Sequence, residues 1–233
     1  HGVSGSIHRG EMLAIMGPSG CGKSTLLNVL ADGNLYGAKV RGSVEIDGQK
    51  RKKWYKHITT YIPQSDELIP ILTVKESILY SGELQLPWYY EKGRRIHKVY
   101  EVLEQLKIDH VAESQVGGSC GIRGISGGER RRVSVGMGLI ADPKIMILDE
   151  PTSGLDSAAA SSIITTLKEL AQKGDGRIVI ASLHQPSFET FQELDLLLLL
   201  AKGREIYFGP ADKVEHKFNR CGFPCPKGLN IAD

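Results

Sequence analysis

The stretch Gly17-Pro18-Ser19-Gly20-Cys21-Gly22-Lys23-Ser24-Thr25 fits the spacing G-x-x-x-x-G-K-[ST]. Glycines at those places let backbone N–H groups turn inward around phosphate oxygens. A helix starting just after them adds the positive end of its dipole. Lys23 then reaches the β- and γ-phosphates, and Ser24 offers a hydroxyl to Mg²⁺. The chemistry implied is binding of a nucleoside triphosphate.

Two carboxylates extend that chemistry. Ile145-Met146-Ile147-Leu148-Asp149-Glu150 is an apolar run ending in acids. It reads as a buried strand whose C-terminal end is where ligands bind in open α/β sheets. Asp149 there would hold Mg²⁺ directly or through water. Glu150, one residue on, could orient and deprotonate an attacking water. Gln64, after Tyr61-Ile62-Pro63, could touch Mg²⁺ or that water. His184, past another apolar run, could donate to the γ-phosphate. On residue type alone, Gln64 reads as a surface loop glutamine and His184 as a structural histidine, and only context decides otherwise. Ser126-Gly127-Gly128 opens a helix containing Arg130 to Val135. Small residues and free N–H groups at a helix start make an anion site. A second phosphate-binding feature in a chain with one complete nucleotide loop is most simply explained if it serves a nucleotide held by another copy.

These residues need elements to hold them. Strand-like runs are Met12–Met16, Val44–Asp47, Thr60–Ile62, Ile145–Asp149, Ile178–Ser182, Leu196–Leu200 and Glu205–Phe208, the last four apolar enough to be buried. Ser24 to Leu30 starts a helix after the phosphate loop. Ile96, Val99, Leu103 and Leu106 share one helix face. Asp156 or Ser157 can cap a helix carrying Ile163, Leu167 and Leu170, with Gly174 past its end. Strands alternating with helices imply a mainly parallel sheet. The segment of about 70–142 lacks buried-strand runs and reads as a helical subdomain inserted in an α/β core of about 1–69 and 143–233.

The bulk numbers agree. A chain of 233 residues, 41% hydrophobic and 24% charged, suits one large α/β domain. A net charge of +2 gives no nucleic-acid footprint. Lys50-Arg51-Lys52-Lys53 reads as a solvated turn, because no aromatic-rich binding motif accompanies it. The apolar run Leu194 to Ala201, interrupted by Asp195, is too short to cross a bilayer. No secretory signal opens the chain, which starts at His1 and reads as a piece of a longer protein. Four cysteines make no disulfide framework at this size, and Cys221 and Cys225 lack partners for a zinc site. A reducing cytosol is expected.

Taken together, Gly17–Thr25, Gln64, Ser126–Glu129, Ile145–Glu150, Ser153-Gly154-Leu155-Asp156 and His184 resemble, in order, the Walker A, Q-loop, signature, Walker B, D-loop and H-loop of ATP-binding-cassette ATPases. The resemblance covers essentially the whole chain. Arg123 to Arg130, His184-Gln185-Pro186-Ser187 and Tyr207-Phe208-Gly209 resemble the G subfamily, the white-type half-transporters. Asn230-Ile231-Ala232-Asp233 is similar to the Asn-Pro-Ala-Asp that leads toward the transmembrane domain, with Ile for Pro. Glu129 replaces the glutamine of the commonest signature. The first aromatic, Tyr36, follows the phosphate loop, so the adenine-stacking residue is expected upstream of His1.

The resemblance implies a P-loop NTPase core with a mainly parallel sheet, an N-terminal β-rich part and the helical insert. It implies ATP and Mg²⁺ as ligands, and two copies packed head to tail around two ATP molecules. Each site would combine Gly17–Thr25, Gln64, Asp149, Glu150 and His184 of one copy with Ser126, Gly127, Gly128 and Glu129 of the other. Asp156 would cross the interface. Mg²⁺ would be held by Ser24, Gln64 and Asp149. The implied partners are a second nucleotide-binding domain and the protein's own transmembrane domain, with no nucleic acid. The implied place is the cytoplasmic face of a membrane, and the implied task is powering export. The alternative is a soluble cassette of DNA repair, chromosome organisation or translation. Against the chromosome-type version, only about a hundred residues separate phosphate loop and signature, without sustained heptads.

Overall fold

A computed structural model of the chain describes residues 2–33, 37, 39–118 and 123–223. Among them the elements run β1 (Met12–Met16), α1 (Lys23–Leu30), β2 (Glu45–Ile46), β3 (Gln49–Lys50), α2 (Tyr55–Ile58), β4 (Thr59–Ile62), α3 (Val74–Gln85), α4 (Lys92–Gln105), α5 (Gly127–Leu139), β5 (Ile145–Leu148), α6 (Ser157–Gln172), β6 (Ile178–Ser182), α7 (Phe188–Gln192), β7 (Leu196–Ala201), β8 (Arg204–Pro210) and α8 (Val214–Arg220). Tyr36, Cys225 and the Asn230–Asp233 segment lie outside the described residues.

Six strands form one sheet in the order β4-β5-β6-β1-β7-β8, while β2 and β3 pair separately as a short hairpin. Every neighbouring pair from β4 to β7 is parallel; β8 runs antiparallel to β7. The N-terminal part thus supplies β1 and β4 to the main sheet and the hairpin beside it. Strand residues alternate between two apolar layers. Met12, Ala14, Met16, Met146, Leu148, Val179 and Ala181 face one way, onto Ile163, Ile164 and Leu167 of α6 and onto the helices between β4 and β5. Leu13, Ile15, Ile145, Ile147 and Ile180 face the other way, onto Leu27 of α1 and Tyr55 of α2. With both faces covered, the central strands read as unbroken apolar runs.

Three expectations need correction. The run Glu205–Phe208 is not a buried strand. It lies within β8, the sheet's antiparallel edge, and alternates between exposed and half-buried positions because only one side has a neighbour. Asp195 is no mere interruption of the apolar run. Its Oδ2 accepts the Met12 N–H at 2.8 Å, and Oδ1 accepts from Lys168 of α6, so it stitches the start of β1 to that helix. Nor is the basic cluster uniformly solvated. Arg51 is half-buried, donates to the Val29 carbonyl, pairs with Asp32 at 3.1 Å and lies over the Tyr55 ring; Lys50, in β3, and Lys52 and Lys53 after it are exposed.

Between β4 and β5 the regular elements of the described chain are helices joined by loops, with one isolated bridge, Thr73 to Gln115. Thr73 and Glu76 close a capping box that starts α3. Helix α4 turns Val99, Val102 and Leu103 inward, and α5 crosses both α3 and α4 at Gly136. A Cβ at Gly136 would stand 2.9 Å from Leu106 Cδ1 and 3.0 Å from Ile78 Cδ1. Gly136→Val should therefore overpack this junction and cost roughly 1–3 kcal/mol, read as a lower urea midpoint at unchanged slope. An unchanged midpoint would show that the three helices are less closely packed than described.

Candidate active site

Because β4, β5, β6 and β1 are parallel neighbours, their C-terminal ends share one edge of the sheet. Ile62, Leu148 and Ala181 stand in register across it. The next residues along each strand are the ones singled out for chemistry: Gln64 after β4, Asp149 and Glu150 after β5, His184 after β6, and Gly17–Thr25 after β1.

The phosphate loop forms a compact turn. Gly17 is forced to be glycine, since a Cβ would fall 2.1 Å from the Leu200 carbonyl oxygen and its φ is +149°. Lys23 is 6% exposed, and its Nζ donates to the loop carbonyls of Gly17 at 2.8 Å and Pro18 at 3.4 Å. The ammonium is thus held inside the loop. Ser24 and Thr25 are exposed at the start of α1. Cys21 turns its thiol away from this surface into the apolar layer with Leu13, Ile15 and Leu27, and is 4% exposed. The thiol therefore does not line this surface, and what Cys21 presents to it is backbone. Its carbonyl accepts the Gly203 N–H at 3.1 Å, tying the loop to the turn between β7 and β8.

The two carboxylates after β5 are treated differently. Asp149 is 6% exposed, and Oδ1 accepts the Ser182 hydroxyl at 2.6 Å. Oδ2 accepts Tyr61 Oη at 3.3 Å. Burial, then the Asp149 charge and this bond, push the Tyr61 phenol up to about 12. The raised value means that the fold favours the protonated phenol. Its contribution to stability is intact below 10 and lost as pH rises through about 12. Glu150 sits at φ +42°, a left-handed conformation costly for a side-chain-bearing residue. The same Ser182 oxygen that donates to Asp149 accepts the Glu150 N–H at 2.8 Å. One hydroxyl therefore orients the first acid and fixes the backbone reversal at the second. Gln64 Nε2 donates to Glu150 Oε2 at 2.7 Å and to Ser153 Oγ at 3.3 Å, joining the two loops. His184 is exposed at the same edge.

Ser126, Gly127 and Gly128 lie elsewhere, at the start of α5. Among the described residues no hydrogen bond joins them to the phosphate loop, Gln64, Asp149, Glu150 or His184. Ser126 is the N-cap in a capping box with Glu129. The Ser126 hydroxyl and then its N–H, with His110, hold the Glu129 carboxyl below its usual range against a partial burial penalty. That contribution is present above the ordinary glutamate range and lost as pH falls through the lowered value. Asp156 caps α6, its Oδ1 accepting the Ala159 N–H at 2.9 Å.

The residue that sequence reasoning passed over is Arg131. It is 3% exposed. Its guanidinium donates to the carbonyls of Pro63 at 2.7 Å, Gln64 at 3.4 Å, Asp149 at 3.0 Å and Pro151 at 3.2 Å, and to Asp66 Oδ1 at 2.9 Å. Ser134, one turn on, donates to the same Asp66 oxygen at 2.7 Å. The signature helix is thereby bolted to both acid-bearing and amide-bearing loops. Ser182 and Tyr61 were also missed as partners of Asp149. Their only sequence signal is position: each lies on a strand within two residues of its C-terminal end.

Arg131→Ala should cost roughly 3–5 kcal/mol, because carbonyls on two loops and Asp66 lose their donor together. Arg131→Lys should recover only part of that, since one ammonium cannot span both loops as a planar fork does. Urea unfolding of the two variants checks this; equal stability of Lys and native chains would refute it. A maleimide should label Cys221 in the native chain and leave Cys21 unmodified until denaturant is added, as read by peptide mass spectrometry; fast native labelling of Cys21 would contradict its inward placement.

Residues 1–153 match the family model described as ABC transporter, and residues 184–233 one described as ABC-2 type transporter. "ABC transporter G family member 22" of Dictyostelium discoideum is 41% identical over the whole chain, which spans 38% of that protein. "ATP-binding cassette sub-family G member 8" of Homo sapiens is 41% identical over 99% of the chain, which spans 34% of it. The chain thus covers little more than a third of the length of these relatives. Among solved structures, a dimeric post-hydrolysis ATP-binding cassette bound to ADP and Pi superposes at TM-score 0.70 with 26% identity, covering 88% of each chain. The structure of cbiO1 from Clostridium perfringens, part of an ABC transporter complex, superposes at 0.75 with 25% identity over 94% of this chain and 87% of its own. No helix of the described residues is long and apolar enough to cross a membrane. The chain thus belongs to the ABC transporter family, as an ATP-binding cassette similar to the G-type members.

Proposed function

We propose that the chain is the motor of a membrane exporter, driven by ATP-dependent closure of two cassettes packed head to tail. The observation that carries this reading is the separation just described. One half of a nucleotide site gathers at the sheet edge, while Ser126 to Gly128, a second anion-binding feature at the start of α5, make no hydrogen bond to that edge among the described residues, although Arg131 further along α5 ties the helix to it. A chain holding two unjoined halves is completed by another copy, and the similar cassette with ADP and Pi is a dimer.

Within that site, Lys23 leaves its loop carbonyls for the β- and γ-phosphates, and backbone N–H groups of Gly17–Thr25 take the remaining phosphate oxygens. Glu150, released from Gln64, accepts a proton from the attacking water. His184 donates to the γ-phosphate, and Ser126 and Gly128 of the other copy close over it. Asp156 lies at the interface between copies. The oxygen set of Ser24, Gln64 and Asp149 suits Mg²⁺, and the buried, doubly hydrogen-bonded Asp149 carboxylate is held in one orientation to receive it. Mg²⁺ there would neutralise charge between the β- and γ-phosphates. Residues 70–142 act as a helical subdomain that passes closure on to a membrane domain, from the cytoplasmic face. The match of residues 184–233 to an ABC-2 type transporter favours this reading over a soluble cassette.

Glu150→Gln should leave ATP binding intact and lower hydrolysis by at least about a hundredfold, the scale of a lost general base. It should also accumulate an ATP-bound dimer of the purified chain, seen by light scattering. Normal turnover in that variant would show that the base lies elsewhere.

A further inference from the structure

The start of α5 carries a detail that the dimer reading leaves unused. Ser126 has two hydrogens to give, its N–H and its O–H. Both go to one oxygen, Glu129 Oε2, each at 2.7 Å. The other oxygen, Oε1, faces His110 Nε2 at 3.2 Å, from the 3-10 turn Asp109–Val111 that follows α4. Glu129 is held below the usual glutamate range, so it is an ionised, acceptor-only group. The imidazole nitrogen facing it must therefore be the donor. A γ-phosphate arriving from another copy is also an acceptor-only anion, and it needs the same Ser126 hydroxyl.

We propose that Glu129 and His110 are positioning residues that set how readily the signature serine accepts a partner's ATP: Glu129 opposes docking by occupying Ser126 and presenting a negative charge, and His110 draws that charge aside. This inference rests on the head-to-tail reading above. The competition follows from the chemistry of the pair. Two anions seek one hydroxyl at a helix N-terminus whose positive end is satisfied by whichever is present. A glutamine in place of Glu129 keeps a carbonyl for the cap, and so the helix start, while removing the charge. The imidazole reaches Glu129 from the turn after α4, so the approach of His110 also links that turn to the state of the signature.

The sign pattern separates this from a merely structural role, which would make every substitution harmful. The test uses purified chain carrying Glu150→Gln and reads the ATP concentration for half-maximal dimerisation by light scattering. Adding Glu129→Gln should lower that concentration about threefold or more, the scale of one partly exposed charge pair. Adding His110→Ala should raise it by a similar factor. The combination of both should match Glu129→Gln alone, because His110 then has no charge to draw aside. In otherwise native chain the same changes should shift the ATP concentration for half-maximal rate in the same directions. Glu129→Ala, which removes the cap as well, serves as the folding control by thermal melting. If Glu150→Gln alone forms no ATP dimer, the head-to-tail reading and this inference fall together. If it dimerises and Glu129→Gln weakens or leaves unchanged the ATP dependence, or the two substitutions simply add, this inference alone is overturned.

Discussion

The guanidinium of Arg131 is the fastener on which the rest of the site depends. One buried, planar group reaches Pro63, Gln64 and Asp66 on one loop and Asp149 and Pro151 on another. The bonds to the Asp149 and Pro151 carbonyls are buried, so those two acceptors have no ready substitute donor. The consequence is mechanical. A helix whose start carries Ser126, Gly127 and Gly128 cannot shift without pulling on the loops that carry Gln64, Asp149 and Glu150. The surface that would meet another copy and the edge that holds the chemistry are thereby one rigid unit.

Around that fastener, the sheet does the positioning. Parallel strands must all point the same way, so four loops arrive at one edge. The two apolar layers leave no face for those loops to retreat to. The local strain falls at the chemistry: Glu150 is left-handed, and Ser182 holds it there while orienting Asp149. At the edge Lys23 is satisfied by its own loop and Gln64 donates to Glu150, while at the start of α5 Ser126 donates to Glu129. On the proposed reading, a phosphate or its water would replace each of these contacts, so binding would exchange hydrogen bonds rather than simply add them.

Much of this was legible from residue order. The strand Met12–Met16, the helix after Lys23, and the run ending at Leu148 are local patterns, set by apolar periodicity and by glycines where only glycine fits. Their motifs name the chemistry because phosphate binding demands particular backbone shapes at short range. Other features were not legible, for a physical reason. Arg130, Arg131 and Arg132 are indistinguishable in sequence, yet only Arg131 falls on the face of α5 that meets β4 and the loops beyond it. Asp195 looked like a fault in an apolar run and instead holds a neighbouring strand's first N–H. Glu205–Phe208 looked as buried as its neighbours, since hydrophobicity does not say whether a second strand lies beyond.

The sequence by itself therefore determined the fold class and the inventory of groups proposed to face a nucleotide, because each depends on residues close together along the chain. Tertiary structure alone decided which of those groups touch. It paired Gln64 with Glu150, joined both acids through Ser182, turned Cys21 inward and spent the donors of Ser126 on Glu129. Those outcomes depend on strand order and helix rotation, which bring together residues far apart in the chain. No local pattern encodes that geometry.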